Sequence, residues 1–380
     1  MKVLHIGLIS CFTEGMLYQD YVLSDMNCKD GHDVTYIANT EKYVNGTLVK
    51  VDESDSILSN GLRLIRLNYD YFFNNLVTKK IQKCRRIKSY LNEIRPDTIL
   101  YHGCCGYELI DVANYIKDNP GTLFYVDTHQ DFNNSSTTIL SKLVNRFIHG
   151  FFVKKAAPYI TKFLSISLES TAYLQRMYNI PNDSIEEFPL GGIPLTEKEQ
   201  DDYKSQITKE YKLDSNTILL GHSGKLSRGK KTIDLIKALS MINDERFRLI
   251  IFGSIPDGDV ELVQAIKNER KVIFVGWKSD KEQHKLLGAI DLYCQPGTQS
   301  ATAEMAACDG CALMLARHPS YLSLYEDNAF YAESVEEMFD LFNKISADYS
   351  TLMIMKKKSR IMAKEKLDYQ KLSRLYLTKL

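Results

Sequence analysis

The chain has 380 residues, with 48 Lys and Arg balanced by 48 Asp and Glu, 44% apolar and 25% charged residues; that length suits two or three domains and the apolar share is enough for real cores. The missing basic excess argues against nucleic acid as the main partner, and no run of about 18 apolar residues is available to span a membrane. The opening "MKVLHIGLISCFTEG" is too short in its apolar part, and too charged afterwards, for a secretory signal, so the eight scattered cysteines read as reduced thiols in a cytoplasmic protein.

In chain order, β-branched and aromatic runs predict strands at residues 2–9, 33–38, 62–68, 97–102, 122–127 and 161–167, and again at 216–224, 247–254, 271–277, 289–296 and 311–316. Helical spacing separates them, as in "GMLYQDYVLSDMNCKDG" and "KKTIDLIKALSMIN". Continuous apolar strands alternating with helices imply parallel sheets covered on both faces. The pattern occurs twice, which predicts an α/β chain of two Rossmann-like domains, 1–190 and 191–364. The stretch "EEFPLGGIPLTEKEQDDYKSQ", with Pro189, Gly191, Gly192 and Pro194 before a charged run, reads as the linker. A helix at about 365–380 is free by its pattern to pack on either domain, back on the first included.

Ligands of parallel sheets sit where strands give way to helices, so the residues after each strand are the candidates. "GKLSRGKKT" places Lys225, Arg228, Lys230 and Lys231 beside Gly224 and Gly229, ahead of a helix. Cations are on the wrong side of that helix's dipole unless an anion docks among them, and a helix start with free N–H groups favours a phosphate; a solvated basic turn is the plain alternative. Gly253 and Ser254 allow close backbone approach to a ligand, and Trp277 follows another strand end, either beside a base or in the core. In "QPGTQSATAEMAACDGC", Gly297, Thr298, Gln299 and Ser300 form a loop whose Thr298 or Ser300 would cap the next helix, leaving amides outward for a diphosphate. Glu304 stands one turn in, among Ala303, Ala306 and Ala307. An unpartnered carboxylate is costly in such packing, and a ribose diol would satisfy it. Cys308 and Cys311 form a Cys-x-x-Cys, but zinc needs a second ligand pair, so they read as small buried residues.

Taken together, "GKLSRGKKT", "LIIFGS", "VIFVGW" and "QPGTQSATAEMAACDG" resemble, in order and spacing, the nucleotide-sugar domain of GT-B glycosyltransferases, most closely the retaining family 4 (glycosyl transferases group 1). Its pattern is a Gly-Arg turn followed by Lys-Gly, strand-Gly, Val-x-Phe-x-Gly, then Pro-Ser and Glu-x7-Glu. The resemblance extends to "MKVLHIG…GHDVTYIA" and "EEFPLGGI". It implies two Rossmann-like domains facing each other across a deep cleft, and transfer from a UDP- or GDP-linked donor with retention and without metal. By the same resemblance Lys225 falls on the family's diphosphate-binding Arg and Lys231 on its Lys. Glu304 falls on the second Glu, which holds the ribose, His129 in "VDTHQD" on the histidine facing the donor sugar, and Gly15 on the loop approaching donor phosphate and acceptor. The sequence departs at the first Glu, where Pro296 stands.

The first domain would then supply the acceptor site, with His129, Asp127 and Asp131 as polar groups after a strand; in an inverting enzyme one of them would serve as general base. Two basic amphipathic stretches, 79–95 and 147–164, read either as peripheral membrane contacts at the inner face of the membrane or as solvated helix faces. The membrane reading makes the acceptor a lipid-linked saccharide, as in bacterial surface polysaccharide or glycoconjugate synthesis. Rival expectations are a nucleotide-sugar epimerase of the same fold and a non-catalytic GT-B partner subunit. A nicotinamide enzyme fits poorly, because no Gly-x-Gly-x-x-Gly follows the first strand.

Overall fold

Each run predicted as a strand forms one, and alternation along the strands sets the two faces of each sheet. The computed structural model describes residues 1–44, 47–71, 73–74, 78, 81 and 83–379; Lys79 and Lys80, part of the first predicted basic stretch, lie outside them. The chain divides into two compact units, Met1–Pro189 with Tyr369–Leu380, and Leu190–Asp368.

The first unit contains strands β1 (Lys2–Gly7), β2 (Asp33–Ala38), β3 (Glu41–Val44), β4 (Thr47–Lys50), β5 (Ser54–Ile57), β6 (Arg63–Arg66), β7 (Thr98–Tyr101), β8 (Leu123–Thr128), β9 (Lys162–Ser165) and β10 (Ile185–Glu187). Eight of these make one sheet in the order β10-β9-β8-β7-β1-β2-β6-β5. The period-two pattern sends Leu4, Ile6, Ile99, Tyr101, Phe124 and Val126 to one core, and Val3, Leu100 and Tyr125 to the other. The main sheets are parallel as expected except at one edge, where β5 pairs antiparallel with β6; β3 and β4 form a separate antiparallel hairpin. These strands carry exposed or half-buried polar residues, so they lack the apolar run that marked the others. The chain end returns to this unit as helix Tyr369–Leu375. Arg374 pairs with Asp30 at 2.7 Å, and Tyr376 is fully buried in the second of the two cores.

In the second unit β11 (Ile218–Lys225), β12 (Phe247–Ser254), β13 (Val272–Gly276), β14 (Leu292–Gln295), β15 (Ala312–Leu315) and β16 (Phe330–Tyr331) are all parallel, in the order β13-β12-β11-β14-β15-β16. The order reverses between β11 and β14, so the crevice beyond their carboxyl ends is the switch point where this architecture takes ligands. The charged run read as linker is instead helix Glu197–Glu210, started by a capping box between Thr196 and Glu199. Composition hid it, because only Gln200 and Ile207 of this helix are buried. It is tied down in part by Lys204, whose Nζ meets both oxygens of buried Asp291 at 2.6 and 2.7 Å; Lys356, the Leu219 amide and the Tyr349 hydroxyl also donate to that carboxylate.

Candidate active site

Two loops meet at the switch point of the second unit. The loop after β11 carries Leu226–Lys231, and that after β14 carries Pro296–Ala301. They touch backbone to backbone: the Thr298 amide donates to the Gly229 carbonyl at 2.9 Å, and a Cβ on Gly297 would lie 2.0 Å from that same oxygen. Glycine is required there for close approach. Gly253 has the same role on the other side, with φ +132° and the Gly224 carbonyl oxygen 2.0 Å from where its Cβ would be. Buried His222 pins the frame. Its Nδ1 donates to the Cys294 carbonyl at 2.7 Å and its Nε2 accepts from Thr232 at 2.9 Å, joining β11 and β14 to helix Thr232–Ser240. Burial pushes its pKa down to about 4, consistent with a neutral ring making those two bonds.

The geometry reassigns one lysine. Lys231 has left-handed backbone, φ +57°, and its ammonium donates to the Glu333 carbonyl at 2.9 Å. Lys230 is buried instead; its Nζ lies 3.7 Å from the Cβ position of Gly224 and 3.4 Å from the Gln299 carbonyl oxygen. In the Lys-Gly pair of the family pattern, Lys231 therefore takes the glycine's place, where positive φ is wanted, and Lys230 takes the lysine's. Sequence reasoning saw a cluster of cations without the backbone sign that ranks them.

Lys230 and Glu304 are the electrostatic heart of the site. Burial lowers the Lys230 pKa to about 8, with Glu304 opposing. Burial raises the Glu304 pKa to about 7, with Lys230 opposing. Each is held against its own desolvation, partly by the other's field. The Glu304 Oε2 atom is shielded from solvent and has no hydrogen-bond partner among the described residues. An orphaned buried acceptor one turn into a helix at the strand ends calls for a donor from a ligand.

The other candidates distribute as follows. Lys225 and Trp277 line a cavity of about 230 Å³ with Gly224, Gly253, Ser254 and Lys278. Trp277 is 54% exposed, which removes the core alternative and leaves an open indole face. Arg228 does not line that cavity; with Lys231, Asp234 and Asp259 it lines a separate groove of about 210 Å³. Neither Thr298 nor Ser300 caps helix Thr302–Cys308, whose N-cap is Ala301. Their amides are occupied, Thr298's by Gly229 and Ser300's by the Tyr321 hydroxyl at 2.9 Å, so those two cannot hold the diphosphate. Gln299 donates through its side chain to Ser320. The thiols of Cys308 and Cys311 are buried against the backbone carbonyls of Leu367 and Leu287, and burial raises both pKa values well above the ordinary thiol range. No cluster of metal-ligating side chains occurs among the described residues.

In the first unit, His129 follows β8 and shares a hydrogen bond with Tyr18 at 2.9 Å through Nδ1; its Nε2 lies 4.0 Å from Asp127 Oδ1. Asp131 instead accepts from the Asn133 and Asn134 amides and shapes its own turn. Gly15 has φ +77° with open space around it. Behind His129 runs a buried polar chain that sequence reading missed, since His5 and His102 sit inside apolar strand patterns. Asn27 Nδ2 donates to the Ser373 carbonyl at 2.9 Å, which turns its Oδ1 toward His5 Nε2 at 3.0 Å and Tyr376 at 2.8 Å. His5 Nε2 is then the donor and Nδ1 the acceptor. His102 Nε2, 3.0 Å from that Nδ1, must donate, and His102 Nδ1 must donate to Asp127 at 2.7 Å. His102 is thus an imidazolium between His5 and two carboxylates, Asp127 and Asp20, the latter at 3.3 Å. Burial works against that charge, but Asp127 and Asp20 outweigh it and raise the His102 pKa. Burial and His102 together lower that of His5 to about 3.

Comparison with known proteins bears on the fold and on the second unit. Residues 204–362, all in the second unit, match the family described as Glycosyl transferases group 1. No curated protein gives a significant match. Among solved structures, HepE of Anabaena in complex with UDP is 16% identical over 98% of each chain, with a TM-score of 0.67. Sucrose-phosphate synthase of Thermosynechococcus elongatus is 15% identical over 98% of this chain and 96% of its own, at 0.68. WaaG, a glycosyltransferase involved in lipopolysaccharide biosynthesis, is 16% identical over 99% of each chain, at 0.65. Those identities speak for the fold, and the family match speaks for the second unit: the chain has the GT-B fold, and its residues 204–362 match the Glycosyl transferases group 1 family.

Proposed function

We propose that the protein moves a sugar from a UDP- or GDP-linked donor to a glycan or lipid-linked acceptor in bacterial surface polysaccharide or glycoconjugate synthesis. The observation that carries this reading is the pair formed by Lys230 and the orphaned Glu304 Oε2 at the switch point of the group 1 unit. Lys230, with Lys225 at the rim, takes the diphosphate; Glu304 accepts from the ribose diol; Trp277 flanks the base. The sequence resemblance is the ground for giving His129 a role toward the donor sugar and Gly15 one toward donor phosphate and acceptor. As the bond from the anomeric carbon to the diphosphate breaks, its electron pair leaves on the diphosphate, and fixed cations stabilise that growing charge, commonly the largest catalytic contribution. Retention, the expected stereochemistry, brings the acceptor hydroxyl in on the leaving-group face, where a departing phosphate oxygen is the nearest base for its proton. Two ammonium groups serve where other enzymes use a metal, so activity is expected to survive chelation.

The UDP bound to the similar HepE structure makes UDP sugars the first donors to test. Thermal shift against UDP- and GDP-linked sugars identifies the donor, because a ligand that binds only the native state raises apparent stability. Mass spectrometry of the incubated donor then follows hydrolysis or transfer. A donor converted only to its isomer would replace transfer by epimerisation, and the absence of any nucleotide response would overturn the reading.

A further inference from the structure

Between Asp131 and Glu169 the chain has no acidic residue, yet it carries Lys142, Arg146, Lys154, Lys155 and Lys162 in a protein of zero net charge. Within this stretch, three consecutive helical segments, Ile139–Leu143, Val144–His149 and Gly150–Ala156, turn a row of large apolar side chains outward. Ile139 is 80% exposed, Leu140 71% and Phe147 69%, and Leu143, Ile148 and Phe151 are exposed as well. Positions 139, 143, 147 and 151 recur every four residues, so they share one face.

The opposite face is firmly held. Phe152, Val153 and Ala156 are buried, Asn145 Nδ2 donates to the Ser135 carbonyl at 2.7 Å, and Arg146 donates to the Arg176 carbonyl at 2.9 Å. The outward row is therefore presented by an anchored element. Isolated exposed apolar side chains are ordinary, whereas a contiguous row marks an interaction surface. Arg146 and Lys162 are engaged with backbone carbonyls. Lys142, Lys154 and Lys155 have no acidic partner among the described residues, and Lys155 lies over the Phe151 ring at 5.8 Å.

We propose that this face, Ile139 to Phe151 with Lys142, Lys154 and Lys155 beside it, docks on an anionic lipid surface. Charge complementarity selects that occupant: apolar groups suited to the headgroup boundary are accompanied only by cations. The other basic stretch fails the same criterion. Its Arg85, Arg86 and Lys88 are paired with Asp70, Glu53 and Asp111. The structure thus moves the membrane contact toward 139–155, earlier than the 147–164 read from sequence and away from 79–95. No described helix is long and apolar enough to cross a membrane, so the contact is peripheral. The inference extends the lipid-linked acceptor reading but is independent of the donor site.

The test is co-sedimentation of the full chain with phosphatidylcholine vesicles, with and without phosphatidylglycerol, in low and high salt, alongside UDP-induced thermal shift. Binding is expected only to the anionic vesicles and should weaken with salt. Replacing Phe147 and Phe151 together by Ser, or Lys142, Lys154 and Lys155 together by Glu, should each weaken it by about tenfold or more, with the nucleotide response retained. No sedimentation with anionic vesicles, or full binding by both variants, overturns the proposal. So does a wild-type dimer that the Phe147→Ser, Phe151→Ser protein loses in analytical ultracentrifugation without any vesicle binding. Loss of the UDP response with vesicle binding intact would instead strike only the donor-site reading.

Discussion

Replacing Glu304 by Gln should strengthen the empty protein and weaken its grip on nucleotide. Burial holds the Glu304 pKa at about 7 in place of its ordinary 4.5, and each pKa unit corresponds to about 1.4 kcal/mol. Keeping the group ionised in the fold therefore costs about 1–3 kcal/mol once its partial exposure is allowed for. A raised carboxyl pKa means that the folded state prefers the proton. The cost is absent below pH 4.5, where both states are protonated, grows as pH rises from 4.5 to 7, and is complete above 7. Glu304→Gln removes it, so the variant should gain up to about 3 kcal/mol over wild type at pH 8 and little at pH 5. Hydrogen bonds to a charged group are worth about 1.5–3 kcal/mol each, so losing the ribose contact should lower nucleotide affinity at least tenfold. Chemical denaturation without ligand, at both pH values, and titration calorimetry with UDP read the two effects separately. A variant less stable than wild type at pH 8 would mean that the Glu304 carboxylate is not desolvated at a cost, and one that binds UDP equally well would mean that it does not hold the ribose.

Lys230→Ala should reduce kcat by about 100-fold or more, the scale of losing one preorganised charge-stabilising group. Lys231→Gly, which suits the left-handed backbone, should stay within a few-fold of wild type; the reverse ranking in steady-state kinetics would restore Lys231 to the diphosphate. His102 should show both ring nitrogens protonated at pH 6.5 in nitrogen-15 NMR, and a single neutral tautomer would undo the hydrogen-bond assignment that starts at Asn27. Because the folded His102 pKa is raised, its stabilising contribution is complete below about pH 6.5 and fades as pH climbs through the folded value; the gap between wild type and His102→Gln in thermal unfolding should narrow in that direction. Tyr376→Ala empties a fully buried site and removes a bond to Asn27, so it should destabilise the first unit by about 3–5 kcal/mol in denaturant unfolding.

What the sequence showed clearly was what burial writes into it. Runs such as "FRLII" and "TILLG" can satisfy their apolar content only inside covered sheets, so the paired α/β units were readable. Polar edge strands like Ser54–Ile57 carry no such mark. Helix Glu197–Glu210 passed for a linker because its anchors are mostly polar and distant in sequence, among them Lys204 reaching a carboxylate 87 positions away and Gln200 accepting from Arg360. At the site, residue types pointed to an anion-binding loop and singled out Glu304, since four cations within seven positions beside two glycines, and one acid among alanines, are uncommon combinations. Ranking the cations needed backbone geometry, which only the fold provides: Lys230 and Lys231 differ by the sign of φ. The chain from Asn27 to Asp127 was invisible for another reason. Its members are scattered over four elements, and each histidine alone looks like an ordinary core residue.

A nucleoside diphosphate is expected to lodge between Lys230 and Glu304 beyond β11 and β14, and a crystal structure of the protein with UDP is the decisive measurement. A diphosphate oxygen should lie within hydrogen-bond distance of Lys230 Nζ, with the ribose hydroxyls on the Glu304 carboxylate. A diphosphate bound elsewhere, with the Glu304 Oε2 atom still unpartnered, would contradict that placement.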